Sequence, residues 1–244
     1  MTKTVVIIPV RYDSSRLPGK PLLKIGSRSL LEHVYSRVKE CTEIDRIIVA
    51  TDDERIFIHA QHIGAEVEMT FRSHQSGTDR CAQVANQFWS DSIIINVQGD
   101  EPFVDPIMID DLVRKMKEDD WISIGTCKTK IQDEASHSDV NTVKVLCASN
   151  GNALYFSRLP LPYQVDQEAA EIDRFKHIGI YAYRNKILQE LTSLAPSMLE
   201  QAEHLEQLRW LEAGYKINVM ETNYDGISID TPADLEKANQ IVQG

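Results

Sequence analysis

Cysteines are few in this chain, and none of them lies in a pattern that binds metal. The four residues, Cys41, Cys81, Cys127 and Cys147, are far apart in the 244-residue sequence. No Cys-x-x-Cys pair and no cysteine–histidine cluster with zinc spacing occurs. We therefore expect four reduced thiols and exclude a zinc site or a disulfide framework.

Long apolar runs are also missing. No run approaches the roughly 18 residues that a membrane-spanning helix needs. The first apolar segment, Val5–Val10, is too short for the central region of a signal peptide, and no small-residue cleavage site follows it. We expect a cytoplasmic protein that has no membrane partner.

Positive charge is scarce overall but is concentrated in one loop. The chain has 26 Lys and Arg against 37 Asp and Glu, a formal net charge of −11. Binding to nucleic acid depends on neutralising phosphates, so this balance argues against a nucleic-acid partner. Three cations, Arg11, Arg16 and Lys20, nevertheless follow Val5–Val10 directly. Such a cluster on an acidic chain predicts a site for a small anion.

The order of apolar segments predicts an α/β fold with a mostly parallel central sheet flanked by helices. Strand-like runs, above all the β-branched Ser92–Val97, alternate with amphipathic segments such as Ser29–Cys41. After about residue 120 the strand-like runs follow one another with fewer helices, which indicates an antiparallel extension of the sheet. The spacing also predicts one helix near Leu199–Ala213. We expect a single domain over residues 1–244, with a smaller mixed subregion at about 159–225.

The basic loop follows the first strand, where an open α/β sheet binds its ligands. It is not a Walker A motif, because Gly19-Lys20 is followed by Pro21, and no GxGxxG pattern occurs. Arginine offers a forked donor to phosphate oxygens and lysine a compact charge, so the loop suits a triphosphate. A solvated basic turn is the alternative.

Two aspartates are candidate metal ligands. Asp100 follows the most apolar strand-like run, and a strand-end carboxylate suits Mg²⁺, although Gly-Asp is also common in turns. Asp230 precedes Thr231, which we expect to cap the last helix. Capping does not require Asp230, so its functional interpretation depends on whether it meets Asp100.

Three further segments carry polar residues that have both structural and functional interpretations. Ser76 and Gly77 precede a helix, where backbone amides bind anions but where serine also caps the helix. His177 lies in a strand, and a lone strand histidine is more often structural. For Glu203, Glu206, Gln207 and Arg209, which lie off the apolar face of a helix, a solvated surface is the default interpretation.

Together the motifs resemble one family. In chain order they include Ile-Pro-Val-Arg-Tyr-x-Ser-Ser-Arg-Leu-Pro-Gly-Lys-Pro, His-Gln-Ser-Gly-Thr-Asp-Arg, Asn-Val-Gln-Gly-Asp-Glu-Pro, Lys-His-Ile-Gly-Ile-Tyr-Ala-Tyr-Arg, Leu-Glu-Gln-Leu-Arg-Trp-Leu-Glu and Ile-Asp-Thr-Pro-Ala-Asp-Leu-Glu. The set is similar to that of the 3-deoxy-manno-octulosonate cytidylyltransferases, the CMP-Kdo synthetases of lipopolysaccharide synthesis. The resemblance runs from Val5 to Leu235.

The resemblance implies a nucleotide-diphospho-sugar-transferase-like fold, a homodimer, and transfer of CMP from CTP to the anomeric hydroxyl of 3-deoxy-D-manno-octulosonate (Kdo). It implies Mg²⁺ as the cofactor, bound by Asp100 and Asp230. The catalytic residues that it implies are Lys20, Arg11, Asp100 and Asp230. Its nucleotide-binding residues are Arg11, Arg16, Lys20, Ser76, Gly77, Arg80 and Gln98. Its sugar-binding residues are Arg158, His177, Tyr181, Glu206 and Gln207.

Three other functions stay open on the sequence. The first is transfer of CMP to another acidic sugar, either 8-amino-Kdo or a sialic-type acid. It stays open because the stretch at 162–168 departs from the basic, aromatic stretch seen in the family. A non-catalytic module that binds CTP without turnover is the second. An NAD-type domain is disfavoured by the missing GxGxxG. Whether the polar loop at 164–173 closes over a substrate also stays open.

Overall fold

The computed structural model describes residues 3–13, 17–165 and 172–243. Within these ranges, one nine-stranded mixed sheet and a separate two-stranded hairpin form. The strands are β1 (Thr4–Val10), β2 (Lys24–Ile25), β3 (Arg28–Ser29), β4 (Arg46–Thr51), β5 (Glu66–Met69), β6 (Ile93–Asn96), β7 (Ile124–Lys130), β8 (Lys144–Cys147), β9 (Ala153–Ser157), β10 (Phe175–Arg184) and β11 (Asn218–Glu221). The helices are α1 (Leu30–Val38), α2 (Glu54–His62), α3 (Gly77–Ala85), α4 (Pro106–Glu118), α5 (Glu134–Ser138), α6 (Asn185–Thr192), α7 (Met198–Glu203), α8 (Glu206–Glu212) and α9 (Pro232–Gln243).

One half of the sheet is parallel and is centred on β1. This strand pairs in parallel with β4 on one side and β6 on the other, and β5 extends the sheet beyond β4. All seven residues of β1 are buried, as expected for a strand that is covered on both faces. The carboxyl ends of β1, β4 and β6 therefore share one edge, and the loops that follow these strands meet there.

The other half is mixed, and its central strand is β10. This strand is antiparallel to both β6 and β7, while β11 is parallel to β7. An antiparallel pair, β8 and β9, branches from it, with Lys144 opposite Lys176. The antiparallel pairing expected for this half is confirmed, but β10 lies inside the sheet and not at its margin. A register shift between Ile178 and Tyr181 interrupts its pairing with β7.

The sheet separates two apolar cores. One contains side chains of α1, α2 and α4, for example Val34, Ile56 and Leu112. The other contains side chains of α3, α6 and α8, including Trp210. Burial of such side chains contributes about 1.5–3 kcal/mol each, so both faces of β1 and β6 are held in place by helices. None of the helices in the described ranges combines the length and hydropathy that crossing a membrane requires.

The prediction of one helix near Leu199–Ala213 is wrong. The chain forms two helices, α7 and α8, because His204 adopts a left-handed conformation with φ of 52°. A residue in this conformation cannot continue a right-handed helix. The break places Glu206 in the first turn of α8.

Candidate active site

The centre of the site is Lys20, whose ammonium lies between two carboxylates. Its Nζ is 2.8 Å from Asp100 Oδ2 and 3.1 Å from Asp230 Oδ1. Burial acts to lower the pKa of Lys20, but the charges of Asp100 and Asp230 and their hydrogen bonds outweigh it and raise the pKa above 10.5. Lys20 is therefore a stable cation in contact with both candidate metal ligands.

The loop before Lys20 is packed on Tyr12. The Gly19 N–H donates to the Tyr12 carbonyl at 3.0 Å. Gly19 has φ of 68°, and a Cβ there would lie 3.1 Å from the Tyr12 ring. A side chain would therefore be both strained and crowded. On the other side, the Arg55 guanidinium stacks over the Tyr12 ring, 3.2 Å from its centroid.

Asp100 is brought to Lys20 by the close approach of two loops. A Cβ on Gly99 would lie 2.3 Å from Val10 Cγ1, so only glycine lets the chain after β6 pack this tightly against the end of β1. The Ile229 N–H donates to the Asp100 carbonyl at 2.9 Å, which joins the segment carrying Asp230 to this loop.

The predicted cap of the last helix is confirmed. Thr231 Oγ1 accepts from the Asp234 N–H at 3.3 Å, and Asp234 Oδ2 accepts from the Thr231 N–H at 2.9 Å. The Asp230 N–H also donates to Asp234 Oδ2 at 3.2 Å. The cap therefore fixes the backbone at Asp230 and leaves its carboxylate to contact Lys20.

A cleft adjoins Lys20 and Asp100. Its lining includes five of the predicted nucleotide-binding residues, namely Arg11, Lys20, Gly77, Arg80 and Gln98. The Arg11 guanidinium donates to the Gln75 carbonyl at 2.9 Å. The Gln98 amide donates to Asn96 Oδ1 at 3.0 Å. The structure thus brings these residues together, while the predicted phosphate ligand Arg16 lies outside the described residues.

Two of the predicted nucleotide-binding residues have structural partners. Ser76 caps α3 in a capping box with Asp79, which confirms the cap interpretation for this serine. Arg80 is fully buried, and its Nη2 is 3.0 Å from Asp52 Oδ2. Asp52 holds Arg80 in place, and it was not a candidate in the sequence because no local pattern links the two residues.

A second cavity is lined by the residue that follows Asp100 in the chain. Asp100 lines the cleft and its neighbour Glu101 lines this second cavity, together with residues that include Thr142, Lys176, His177 and Tyr224. Burial, and then the charge of Asp100, raise the pKa of Glu101 to about 7. Two consecutive residues, Asp100 and Glu101, thus line different cavities.

His177 is packed among aromatic rings and is a neutral side chain. Its ring lies 5.0 Å from that of Phe156 and 5.3 Å from that of Tyr181. Burial lowers the pKa of His177 to about 3. Its Nε2 is 2.9 Å from Thr126 Oγ1, and this hydroxyl donates its one hydrogen to a β10 carbonyl, that of Ile180 at 2.7 Å. With the hydroxyl hydrogen on that carbonyl, Nε2 is the donor in the contact with Thr126 and Nδ1 is the acceptor, so the roles depend on the tautomer of His177.

The remaining predicted sugar ligands occupy the same half of the molecule. Glu206 Oε2 accepts from Thr78 Oγ1 at 2.5 Å, which links α8 to the first turn of α3 beside the cleft. Burial raises the pKa of Glu206, and the Thr78 hydrogen bond partly offsets this shift. Gln207 is 6% exposed. Gln207 is therefore buried and Glu206 is half-buried with a bonded carboxylate, so the default of a solvated surface is wrong for them.

Arg158 is held by the backbone around it. Its Nε donates to the Glu203 carbonyl at 2.7 Å and its Nη1 to the Val140 carbonyl at 3.0 Å. The Glu203 carboxylate accepts from the Arg158 N–H and from Ser157 Oγ, both at 2.7 Å. The helix pattern assigned Glu203 to solvent, but in the structure its carboxylate binds Ser157 and Arg158.

Asp100 and Asp230 fit as ligands for a divalent cation. Both contact one nitrogen, so their carboxylate oxygens lie within about 6 Å of each other. No group of three or more His, Cys, Asp or Glu side chains that could hold a metal occurs among residues 3–13, 17–165 and 172–243. Mg²⁺ commonly takes only one or two carboxylates and completes its shell with water and phosphate oxygens. The donor set therefore suits Mg²⁺ bound together with a triphosphate.

Sequence comparisons agree on one family. The family model described as cytidylyltransferase matches residues 5–217. A 3-deoxy-manno-octulosonate cytidylyltransferase of Geotalea daltonii is 45% identical over 96% of both chains. One from Cytophaga hutchinsonii is 46% identical over 95% of this chain and 94% of its own.

Solved structures agree with this grouping. A CMP:2-keto-3-deoxy-manno-octonic acid synthetase complexed with CTP superposes with a TM-score of 0.93 at 42% identity, over 99% of both chains. A 4-diphosphocytidyl-2C-methyl-D-erythritol synthase of Anaerococcus prevotii superposes with a TM-score of 0.66 at 15% identity, over 100% of this chain and 99% of its own. The second likeness shows that the fold is that of the nucleotidyltransferase-like cytidylyltransferases.

Proposed function

Since the chain belongs to the family of 3-deoxy-manno-octulosonate cytidylyltransferases, we propose that it transfers CMP from CTP to the anomeric hydroxyl of Kdo. The new bond joins the anomeric oxygen to the α-phosphorus of CTP. The bond that breaks joins this phosphorus to the oxygen of the leaving pyrophosphate, and the hydroxyl proton passes to solvent. The observation that carries this proposal is the Lys20 ammonium between Asp100 and Asp230 at the cleft.

The cleft would hold CTP. Arg11 and Lys20 supply two cations at the end of β1, where the triphosphate of a nucleotide is expected, and Arg16 is a third in the sequence. Ser76, Gly77, Arg80 and Gln98 would surround the cytidine. Because Lys20 remains charged, it would stabilise the negative charge that grows on the departing pyrophosphate. Transfer of this type depends mainly on positioning and charge neutralisation, and no covalent enzyme intermediate is needed.

Asp100 and Asp230 would hold Mg²⁺. When bound, Mg²⁺ lowers the pKa of the attacking hydroxyl and offsets charge at the phosphorus. The two carboxylates would orient the reacting groups at the cleft.

The second cavity would take the acceptor sugar. Asp100 lines the cleft and the next residue, Glu101, lines this cavity, so a sugar bound there would place its anomeric hydroxyl near Asp100. The neutral His177 would accept a hydrogen bond from a sugar hydroxyl at Nδ1. The family resemblance assigns four further residues to the sugar, Tyr181, Glu206, Gln207 and Arg158, which lie outside the lining of this cavity. Lipopolysaccharide synthesis is the process that consumes the product.

We also propose that the enzyme is a cytoplasmic homodimer, as its family resemblance implies. Sedimentation equilibrium of the purified chain tests this part. A mass of two chains of 27.7 kDa is expected, and a single-chain mass at assay concentrations would contradict it.

Phosphorus-31 NMR of a reaction that contains the protein, CTP, Kdo and Mg²⁺ tests the proposed reaction. We expect the CTP signals to give way to pyrophosphate and one phosphodiester signal, and both products should require Kdo. Unchanged CTP signals, with CTP binding shown separately by calorimetry, would favour a non-catalytic nucleotide-binding module. Inorganic phosphate without a phosphodiester would indicate hydrolysis and would contradict the proposal.

A further inference from the structure

Lys144 is a buried lysine whose ammonium donates all of its hydrogens to backbone carbonyls. Its side chain lies in β8, and the residue is 0% exposed. Nζ donates to the carbonyls of Asp139 at 2.8 Å, Thr142 at 2.5 Å and Arg158 at 2.6 Å. An ammonium has three hydrogens, so each of them has an acceptor.

A second cation acts on the same segment. The Arg158 Nη1 donates to the Val140 carbonyl at 3.0 Å. Three of the four carbonyls in residues 139–142 are therefore held by Lys144 or Arg158. Arg158 is in turn fixed by Glu203, whose carboxylate accepts from the Arg158 N–H at 2.7 Å.

The held segment forms part of the second cavity. Asn141 and Thr142 line this cavity, together with His177. The carbonyl of the next residue, Val143, accepts a hydrogen bond from the backbone N–H of His177 at 2.8 Å. The conformation of residues 139–142 thus sets one wall of the cavity and lies next to a side chain of the proposed sugar site.

Burying the Lys144 ammonium costs free energy because the charge loses its hydration. We therefore expect its contacts to have a role beyond filling space. Burial lowers the pKa of Lys144 from its ordinary value of 10.5, because the ammonium leaves water. An apolar side chain would match the neighbouring Val143 and Val145 without this cost. An ammonium, unlike an apolar group, specifies where three carbonyls must lie.

We propose that Lys144 is a positioning residue for the acceptor sugar, which acts by holding residues 139–142 as a wall of the second cavity. The inference rests on the proposed function, because it takes the second cavity to be the acceptor site. Lys144 itself touches no substrate in this account. Its loss should therefore affect the acceptor and leave the nucleotide cleft, which this segment does not line, almost unchanged.

Steady-state kinetics of Lys144→Met test the proposal. Methionine is close in volume but leaves three carbonyls without their donor. We expect the KM for Kdo to rise about tenfold or more, while the KM for CTP and the kcat at saturating Kdo stay within about twofold. An unchanged KM for Kdo in the folded variant, or equal rises in both KM values, would overturn the proposal.

Asp110→Asn is the matched control. Asp110 is another buried charged residue that holds a loop, since its carboxylate accepts from the Thr42 and Glu43 N–H groups. It lines neither cavity. Its variant should lose stability without the Kdo-specific rise in KM, and a rise equal to that of Lys144→Met would count against a specific role.

Two further measurements keep the test decisive. If Lys144→Met does not fold, the same kinetics are measured on Glu203→Gln. This variant weakens the contact that fixes Arg158 and should raise the KM for Kdo in the same selective way.

Hydrogen exchange of the Thr142 amide, which donates to the Asp139 carbonyl, reports on the segment without any turnover. Faster exchange in Lys144→Met than in Asp110→Asn is expected, and equal exchange would overturn the proposal. If the wild type does not turn over Kdo, the proposed function fails and this exchange result still decides whether Lys144 positions the segment.

Discussion

The two halves of the molecule build their parts of the site in different ways. In the parallel half, the candidate residues lie in loops at the carboxyl ends of β1 and β6, where Lys20 and Asp100 meet. In the mixed half, they lie within a strand and at the start of a short helix, as His177 and Glu206 do. All four residues are half-buried, but His177 is also in contact with the rings of Phe156 and Tyr181, whereas Lys20 and Asp100 lie at an open cleft.

This difference predicts different consequences of substitution. A loop side chain at a strand end can be replaced without disturbing the core, so its loss should appear in turnover or nucleotide binding and leave stability almost unchanged. A side chain inside β10 is in contact with neighbouring rings, so its loss should appear in both binding and stability.

The largest effect is expected at the two carboxylates. Asp100→Asn and Asp230→Asn should each lower kcat by about a thousandfold or more, because each removes a ligand charge from the reacting centre. Their side chains are 26% and 40% exposed, so the melting temperature should change little. The exposed Glu118→Gln on α4 is the control. Near-wild-type turnover by either variant would remove that carboxylate from the metal site.

Lys20→Met should lower kcat by about a hundredfold and weaken CTP binding, because it removes the cation expected to stabilise the leaving pyrophosphate. Stopped-flow turnover and calorimetric titration with CTP measure the two effects. Lys24→Met, an exposed lysine four residues further on, should behave like the wild type. Unchanged CTP kinetics in Lys20→Met would contradict the role assigned to this residue.

Two tyrosines of β10 offer a matched pair for the mixed half. The hydroxyls of Tyr181 and Tyr183 are both buried without a hydrogen-bond partner among the described residues, and their rings stack 5.8 Å apart. Only Tyr181 belongs to the proposed sugar site. Tyr181→Phe should raise the KM for Kdo about tenfold, because a hydroxyl that binds the sugar is lost. Tyr183→Phe should leave it unchanged, and equal effects in the two variants would remove Tyr181 from the sugar site.

The smallest effect is a pH dependence of stability that comes from His177. Its pKa is about 3 in the folded chain against an ordinary 6.5, so between these values the unfolded state binds a proton that the folded state does not. The free energy of unfolding should therefore fall as the pH drops below about 6.5, by up to about 1.4 kcal/mol per pH unit. Urea unfolding of His177→Gln should lack this contribution, while the exposed His62→Gln should retain it. Identical pH profiles for all three proteins would show that His177 is solvated.

The parallel half could be predicted well because its signals are local. An apolar run followed by cations predicted β1 and its basic loop, and the cap at Thr231 followed from spacing alone. The meeting of Asp230 with Asp100, far apart in the chain, was stated on the sequence only as a condition, and the structure brings both to Lys20. It depends on the shared edge of the sheet and on the close packing at Gly99.

The mixed half could be predicted less well because its contacts are not local. Nothing in the sequence of β10 shows that it lies between β6 and β7. The left-handed backbone at His204 is unusual for a residue other than glycine, and helical spacing on both sides concealed it. Lys144 in an otherwise apolar segment was the one available signal of a buried polar contact, and its acceptors became visible only in the fold.

The most direct test of the central claim is pyrophosphate release with CTP and Mg²⁺ in the presence of Kdo, 8-amino-Kdo or N-acetylneuraminate. We expect rapid release with Kdo, and release with N-acetylneuraminate no faster than without an acceptor. Efficient release with 8-amino-Kdo in place of Kdo would keep the chemistry and change the substrate. No release with any of the three acids, despite CTP binding, would contradict the claim that the two halves together form a cytidylyltransferase site.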